Sequence, residues 1–202
     1  MYLPKSFAMD SEAAASVLQK HGFGTLVSLD QGILVASHLP LLFDAARNRL
    51  IGHLARANSQ WRSWDGQEVL AIFQGEHGYI SPAWYVNQPA VPTWNYEAVH
   101  IYGVPRLIEE SGTVLALLEE LCVQYDPAYA VRFREELDPE WKAGMIKGIV
   151  AFEIPVARLE AKAKMNQNRA PEDVAGVVTA LEARGESALA AQVRAANAGR
   201  LG

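Results

Sequence analysis

Three stretches of the chain hold side chains whose types and spacing suit ligand chemistry. The first is His53-Leu54-Ala55-Arg56-Ala57-Asn58, which the sequence places where a strand ends and a short helix begins. Such a junction offers unpaired backbone N–H groups and a partial positive charge, and both suit phosphate. Arg56 adds a planar fork of donors that matches phosphate oxygens, and His53 and Asn58 add further polar contacts. Composition alone favours an ordinary junction with a solvated arginine, because the spacing is not distinctive. The second stretch is Ile80–Tyr85 with Val91–Tyr96, where Trp84, Tyr85, Trp94 and Tyr96 alternate with prolines. Aromatics held by prolines form a rigid wall for a planar ligand or partner subunit, or else cap the end of a barrel. The third is Lys164-Met165-Asn166-Gln167-Asn168-Arg169, a cluster of amides and cations that is either ligand-facing or a solvated strand exit.

Other chemistries lack their residues. His38 lies in the apolar run Ala36–Leu42 and reads more readily as a core histidine than as a ligand. The five histidines (His21, His38, His53, His77, His100) show neither HxH nor HExxH spacing, so no metal site is expected. No GxGxxG, GxxxxGK[ST] or GxSxG motif occurs, which removes the fingerprints of Rossmann, P-loop and hydrolase chemistry. Cys122 is the only cysteine, so neither an intrachain disulfide nor a cysteine zinc site can form. The formal net charge of −5 argues against a broadly basic surface for nucleic acid. One local basic run stands out, with Arg158, Lys162, Lys164 and Arg169 against Glu160. No apolar run reaches membrane-spanning length, and MYLPKSFAMDSEAA lacks a secretory layout, so a soluble cytoplasmic protein is expected.

The elements that must position these stretches are mostly strands. Asp10 caps a helix over about Ser11–Lys20. Phe23–Leu29 and Ile33–Phe43 read as a hairpin turning at Asp30-Gln31-Gly32, and Arg49–Leu54 follows a turn at Asp44–Asn48. Short connections of this kind predict an antiparallel meander. Asn58 caps a short helix over Ser59–Trp64, Val69–Gln74 resumes the sheet, and His77–Ile80 is a short strand ending at Ser81-Pro82. Asn95–Ile108 reads as a long strand with a bulge or edge at Pro105. From Gly112 the apolar spacing becomes helical until Pro127, and a further helix runs from Pro139 to about Lys147. Gly148–Ile154 and Arg158–Met165 are strands. In the second, Arg158, Glu160, Lys162 and Lys164 share one face, opposite Leu159, Ala161, Ala163 and Met165. The Ala-rich tail from Pro171 reads as two helices split at Gly185.

Taken in order, MYLPKSF, ASHLPLLFD, GHLARAN-QW, YISPAWY, VPTWNYEAVHIYG, KGIVAFEI and LEAKAKMNQNR span nearly the whole chain. With these motifs the sequence resembles the PaiB family of FMN-binding negative transcriptional regulators. Ser59 departs from the proline expected between Asn58 and Gln60. The resemblance implies a mainly β fold with helices (α+β). The implied fold is an FMN-binding split β-barrel related to pyridoxamine-phosphate oxidases, expected to work as a homodimer with FMN in the clefts between subunits. The chain is expected to hold a barrel domain over 1–169 with inserted helices at about 112–147, and a small C-terminal helical tail over 170–202, whose Ala-rich sequence is generic and departs from the resemblance. Carried over, Ser37, His38, Leu39 and Pro40 lie along the flavin ring, and His53, Arg56, Ala57 and Asn58 hold the phosphate. Trp94, Asn95 and Tyr96, with Lys164, Gln167, Asn168 and Arg169, come from the cleft edge or the partner subunit. The family name implies a repressor, yet no helix-turn-helix precedes the tail, and Arg184, Arg194 and Arg200 are outweighed there by acids. Direct DNA binding is therefore doubtful. An FMN-dependent oxidoreductase acting on a small substrate is the alternative, and haem binding, through a histidine axial ligand, is a third reading.

Overall fold

The computed structural model describes residues 1–200; the last two positions of the expected tail, 201–202, lie outside the described residues. In chain order the elements are α1 (Ser11–Lys20), β1 (Phe23–Asp30), β2 (Ile33–Asp44), β3 (Arg49–Ala55), β4 (Val69–Ile80), β5 (Thr93–Gly103) and β6 (Arg106–Ile108). There follow α2 (Ser111–Tyr125), α3 (Pro127–Glu135), α4 (Pro139–Ile146), β7 (Ile149–Pro155), β8 (Arg158–Lys164), α5 (Pro171–Ala183) and α6 (Ser187–Ala195). The chain forms two compact units, one from 21–73 and 100–159, the other from 1–20, 74–99 and the segment from 160 onward. No helix among the described residues is long and apolar enough to cross a membrane.

In the first unit the strand order is β6-β7-β3-β2-β1-β4. The β1–β2 hairpin turns at Gln31 and Gly32, both at positive φ (50° and 82°), as a two-residue hairpin requires. Its register pairs Phe23 with Pro40, Thr25 with His38 and Leu29 with Leu34. Strand alternation sorts the side chains onto two faces. One face buries Leu39, Leu41, Leu50, Leu54 and Phe152, with Trp64 edge-on to Phe152 at 4.8 Å. On the other face Ile51 and Ala151 pack against Val114, Leu117 and Leu121 of α2. Asp126-Pro127 and Asp138-Pro139 start the next two helices: each aspartate caps its helix and each proline takes the first turn. Helix α3, between these signals, is the helix that apolar spacing alone missed.

The second unit holds the latter parts of β4 and of the sequence. Val174, Val177, Val178, Leu181, Leu189, Ala190 and Val193 of α5 and α6 form one core with Ile80, Tyr85 and Met165. The tail is thus built into this unit.

Two strand expectations are corrected. β4 runs unbroken through His77–Ile80, because Gly75 and Gly78 make room for neighbours. A Cβ at Gly75 would meet Glu97 at 2.6 Å, and one at Gly78 would meet Leu189 at 2.6 Å. The expected long strand Asn95–Ile108 is instead two, β5 and β6, broken at Val104-Pro105, where proline cannot donate to a ladder.

Candidate functional site

The four residues Ser37–Pro40 do not share a face. Leu39 is buried, while His38 and Pro40 point to the face opposite. There Phe23 stacks on His38 with ring centroids 6.3 Å apart. Along the hairpin this face stays uncovered in the chain: Phe23 is 67% exposed, Leu29 45% and Leu34 72%. Ser37, on the other side, accepts a hydrogen bond from Asn58 Nδ2 at 2.8 Å.

Arg56 and Asn58 stand together at the strand exit, as expected, but both side chains have work inside the fold. Arg56 Nε donates to Lys147 O at 2.8 Å and Nη2 to Ile149 O at 2.6 Å. Its backbone N–H reaches Gly148 O at 2.8 Å. Arg56 therefore clamps the start of β7 through Nε and Nη2, and Nη1 takes no part in the clamp. Asn58 Oδ1 caps the 3-10 turn Ser59–Ser63 by accepting from Gln60 N. The buried Gln60 then ties that turn to β1 and β2 through Leu26 O, Ser28 Oγ and Val35 O. Ala57 is exposed beside them.

His53 has a different setting from a phosphate contact. With Pro40 it lines an apolar cavity of about 350 Å³ under α2, α3 and α4. Burial lowers its pKa below the ordinary 6.5, so the ring is neutral at pH 7. Nδ1 is buried without a hydrogen-bond partner. The remaining walls include Cys122, Tyr125, Asp126, Tyr129, Trp141 and Met145. Apart from Cys122, the sequence reading did not single out these residues. Their signal was the aromatics next to the two Asp-Pro helix starts.

In the second unit the third stretch is largely structural. Asn95, expected among the flavin contacts, is fully buried, and its Nδ2 donates to Asn166 Oδ1. Asn166 in turn donates to the Tyr85 hydroxyl at 3.1 Å and turns the chain at φ 63°. Gln167 is occupied by Met165 N and Ala163 O. Asn168 is exposed. Trp94 is 55% exposed and meets Tyr79 edge-on.

The polar row of β8 is not an open basic strip. The N-terminal segment covers it: Ala8 bridges to Lys162, Met9 N donates to Ala161 O, and the Met1 amino group pairs with Glu160. Lys162 is buried, donates to Tyr2 O and lies over the Tyr2 and Tyr96 rings. Lys164 donates to Thr93 Oγ1. Its pKa is lowered by burial and then by Lys162 and Arg169, against an opposing pull from Tyr96. Arg169 lies over Tyr85, 4.3 Å from its centroid. In the other unit Arg158 lies over Tyr102 at 3.5 Å. The sequence run of cations thus becomes a set of committed cations, with Lys164 held where an anion would relieve it. Among the described residues no cluster of His, Cys, Asp and Glu could hold a metal ion.

Among solved structures the chain is similar to the FAD and haem binding protein from Mycobacterium smegmatis. The TM-score is 0.65 at 15% identity, covering 85% of this chain and 80% of that one. It is also similar to the flavocytochrome Anf3 from Azotobacter vinelandii, with TM-score 0.63 at 14% identity, covering 77% and 67%. Together with the antiparallel sheet, these likenesses define the fold as a split β-barrel. Residues 1–158 match the family model described as "Putative FMN-binding domain". The Bacillus subtilis protein "Protease synthase and sporulation protein PAI 2" is 37% identical over 90% of this chain and 89% of its own length. The chain belongs to the PaiB family of FMN-binding proteins.

Arg56→Ala is expected to lower the thermal midpoint by a few degrees, on the order of 1 kcal/mol, because two carbonyls at β7 lose a charged donor near solvent. FMN affinity should fall further than riboflavin affinity, since only FMN offers a phosphate to Nη1. Titrating both flavins against mutant and parent checks this; equal losses would assign Arg56 to the fold alone.

Proposed function

We propose that the protein is a homodimeric FMN-binding regulator of the PaiB type, acting negatively and through its flavin rather than by gripping DNA itself. The observation that carries this reading is the uncovered apolar face of the β1–β2 hairpin, with Phe23, Leu29 and Leu34 exposed beside His38 and Pro40. A face of this kind marks an interaction surface, and a second copy placed by two-fold symmetry would cover it with the same residues. In that arrangement His38 and Pro40 line the ring of the flavin and Arg56 Nη1 faces the phosphate. The second copy supplies its own Trp94, Tyr96, Lys164 and Arg169. Bound FMN would supply reversible electron transfer; the chain's residues bind, orient and exclude water.

Direct DNA contact finds little support, because Arg158 and Arg169 lie over rings, Lys162 donates to the Tyr2 carbonyl, and Lys164 donates to the Thr93 hydroxyl. A specific observation favours a second reading, an FMN-dependent oxidoreductase: the cavity at Pro40 and His53 has room for a small substrate.

The test is purification followed by an absorption spectrum and a gel shift. A flavin band, or one that appears after incubation with FMN, is expected, with no sequence-specific DNA binding at physiological salt. A Soret band in its place would transfer the protein to haem chemistry. Tight, sequence-specific binding that weakens steeply with salt would restore a plain repressor.

A further inference from the structure

We infer that the protein binds FAD as well as FMN, with the adenosine half of FAD entering a second cavity beside Arg56, between the start of α2 and the end of α4. The inference rests on the reading that Arg56 Nη1 faces the flavin's phosphate, and it names what can lie beyond that phosphate.

This cavity lies wholly in the first unit and shares no wall residue with the one at Pro40 and His53. Its volume, about 430 Å³, is far more than a phosphate needs and falls in the range of small-molecule sites. The β6–β7 ladder lines it where Ile108 pairs with Ala151. Val114 of α2, with Ala143 and Ile146 of α4, adds apolar walls.

The charges stand at two ends. The Arg56 guanidinium lies along Lys147 O and Ile149 O, so Arg56 and Lys147 meet at the start of β7. Glu109 stands on the opposite flank, just past β6. Because β7 lies between β6 and β3, the flanks are about two strand spacings apart, roughly 10 Å. Among the described residues neither the Lys147 ammonium nor the Glu109 carboxylate has a hydrogen bond or ion pair. Neighbouring charges do not alter this layout. Glu110 is spent on Gly112 N and Thr113 N as the cap of α2. Arg106 lies by Glu153, and Lys142 donates to Arg134 O. Arg62 lies over the ring of Trp61, whose Nε1 donates to Arg56 O, and so adds a cation on the Arg56 side.

Such a slot has the polarity of a nucleotide site. Cations beside phosphate oxygens form the strong, charge-assisted hydrogen bonds. The apolar middle suits a flat base. Glu109, which when ionised can only accept, repels a phosphate and takes an N–H such as the exocyclic amine of adenine. FMN ends at its phosphate and does not reach this slot. FAD continues from that phosphate through a second one to adenosine.

Calorimetry on flavin-free protein with FMN, FAD and ADP tests the inference, ADP being the part of the dinucleotide probed alone. FAD is expected to bind at least tenfold more tightly than FMN, and ADP to bind saturably. Ala143→Trp, at an exposed position of α4 in the cavity wall, fills the slot. Glu109→Ala removes the acceptor at an exposed site. Each variant should weaken FAD and ADP about tenfold and leave FMN within twofold. FAD bound no more tightly than FMN, or an FAD preference that survives both variants, overturns the inference and leaves the FMN reading intact. If neither flavin binds but ADP does, and both variants weaken it, the nucleotide slot stands and the flavin reading fails. Absence of binding by all three overturns both.

Discussion

Leu34→Glu is expected to convert a dimer of twice 22.1 kDa into a monomer and to strip it of FMN. Leu34 is 72% exposed and lies opposite Leu29 across the hairpin, on the face that also presents Phe23. Burying a side chain of this size is worth roughly 1.5–3 kcal/mol. A two-fold interface uses it twice, so the loss is doubled. The introduced carboxylates must also be desolvated, and in a symmetric contact each lies near its own copy. A hundredfold or greater rise in the dimer dissociation constant follows, at about 1.4 kcal/mol per tenfold. Because the fold leaves most of Leu34 exposed, the melting curve of the monomer should show an intact hydrophobic core. Light scattering across a micromolar dilution series measures the mass. Val131→Glu, at an exposed apolar position on α3 (45% exposed), is the control that should remain dimeric. A parent that is already monomeric, or a Leu34→Glu protein that stays dimeric, refutes the interface.

Lys164→Gln should separate flavin binding from stability. In the folded chain its ammonium is desolvated and crowded by Lys162 and Arg169, and its pKa lies below 10.5. A base with a depressed folded pKa opposes folding while charged. That cost is fully present below the folded pKa and fades as pH rises toward the unfolded value, so stability contributed here increases with pH. Glutamine keeps a donor for Thr93 Oγ1 without the charge. The apo variant should therefore melt no lower than the parent at pH 7. FMN affinity should fall roughly tenfold to a hundredfold, the scale of a charged hydrogen bond at 1.5–3 kcal/mol. Riboflavin affinity should hold. Paired melting and flavin titrations decide the matter. A variant that binds FMN as the parent does would make Lys164 a structural residue of the β8 exit.

Much of the local structure was determined by sequence alone, because its causes are local. Gln31-Gly32 can take positive φ, so the hairpin turns there. Asp10 and Asn58 cap the segments that follow them, and Gly185 separates α5 from α6. Spaced motifs over most of the chain also carried the family and its flavin, since each matched stretch adds independent specificity.

Only the tertiary structure decided what each candidate side chain does. Arg56 had donors to offer, and the approach of the β7 carbonyls determined which of them were taken. Alternation placed Glu160, Lys162 and Lys164 on one face, yet nothing near them in sequence signals that Met1 and Tyr2 return to cover it. His53 read as a phosphate contact from its neighbours in the chain. The helices that wall its cavity begin more than fifty residues later, and their burial of the ring keeps it neutral. Residue type and spacing report what a side chain can donate or accept. Solvation, charge state and partner depend on distant segments, and only folding brings those segments together.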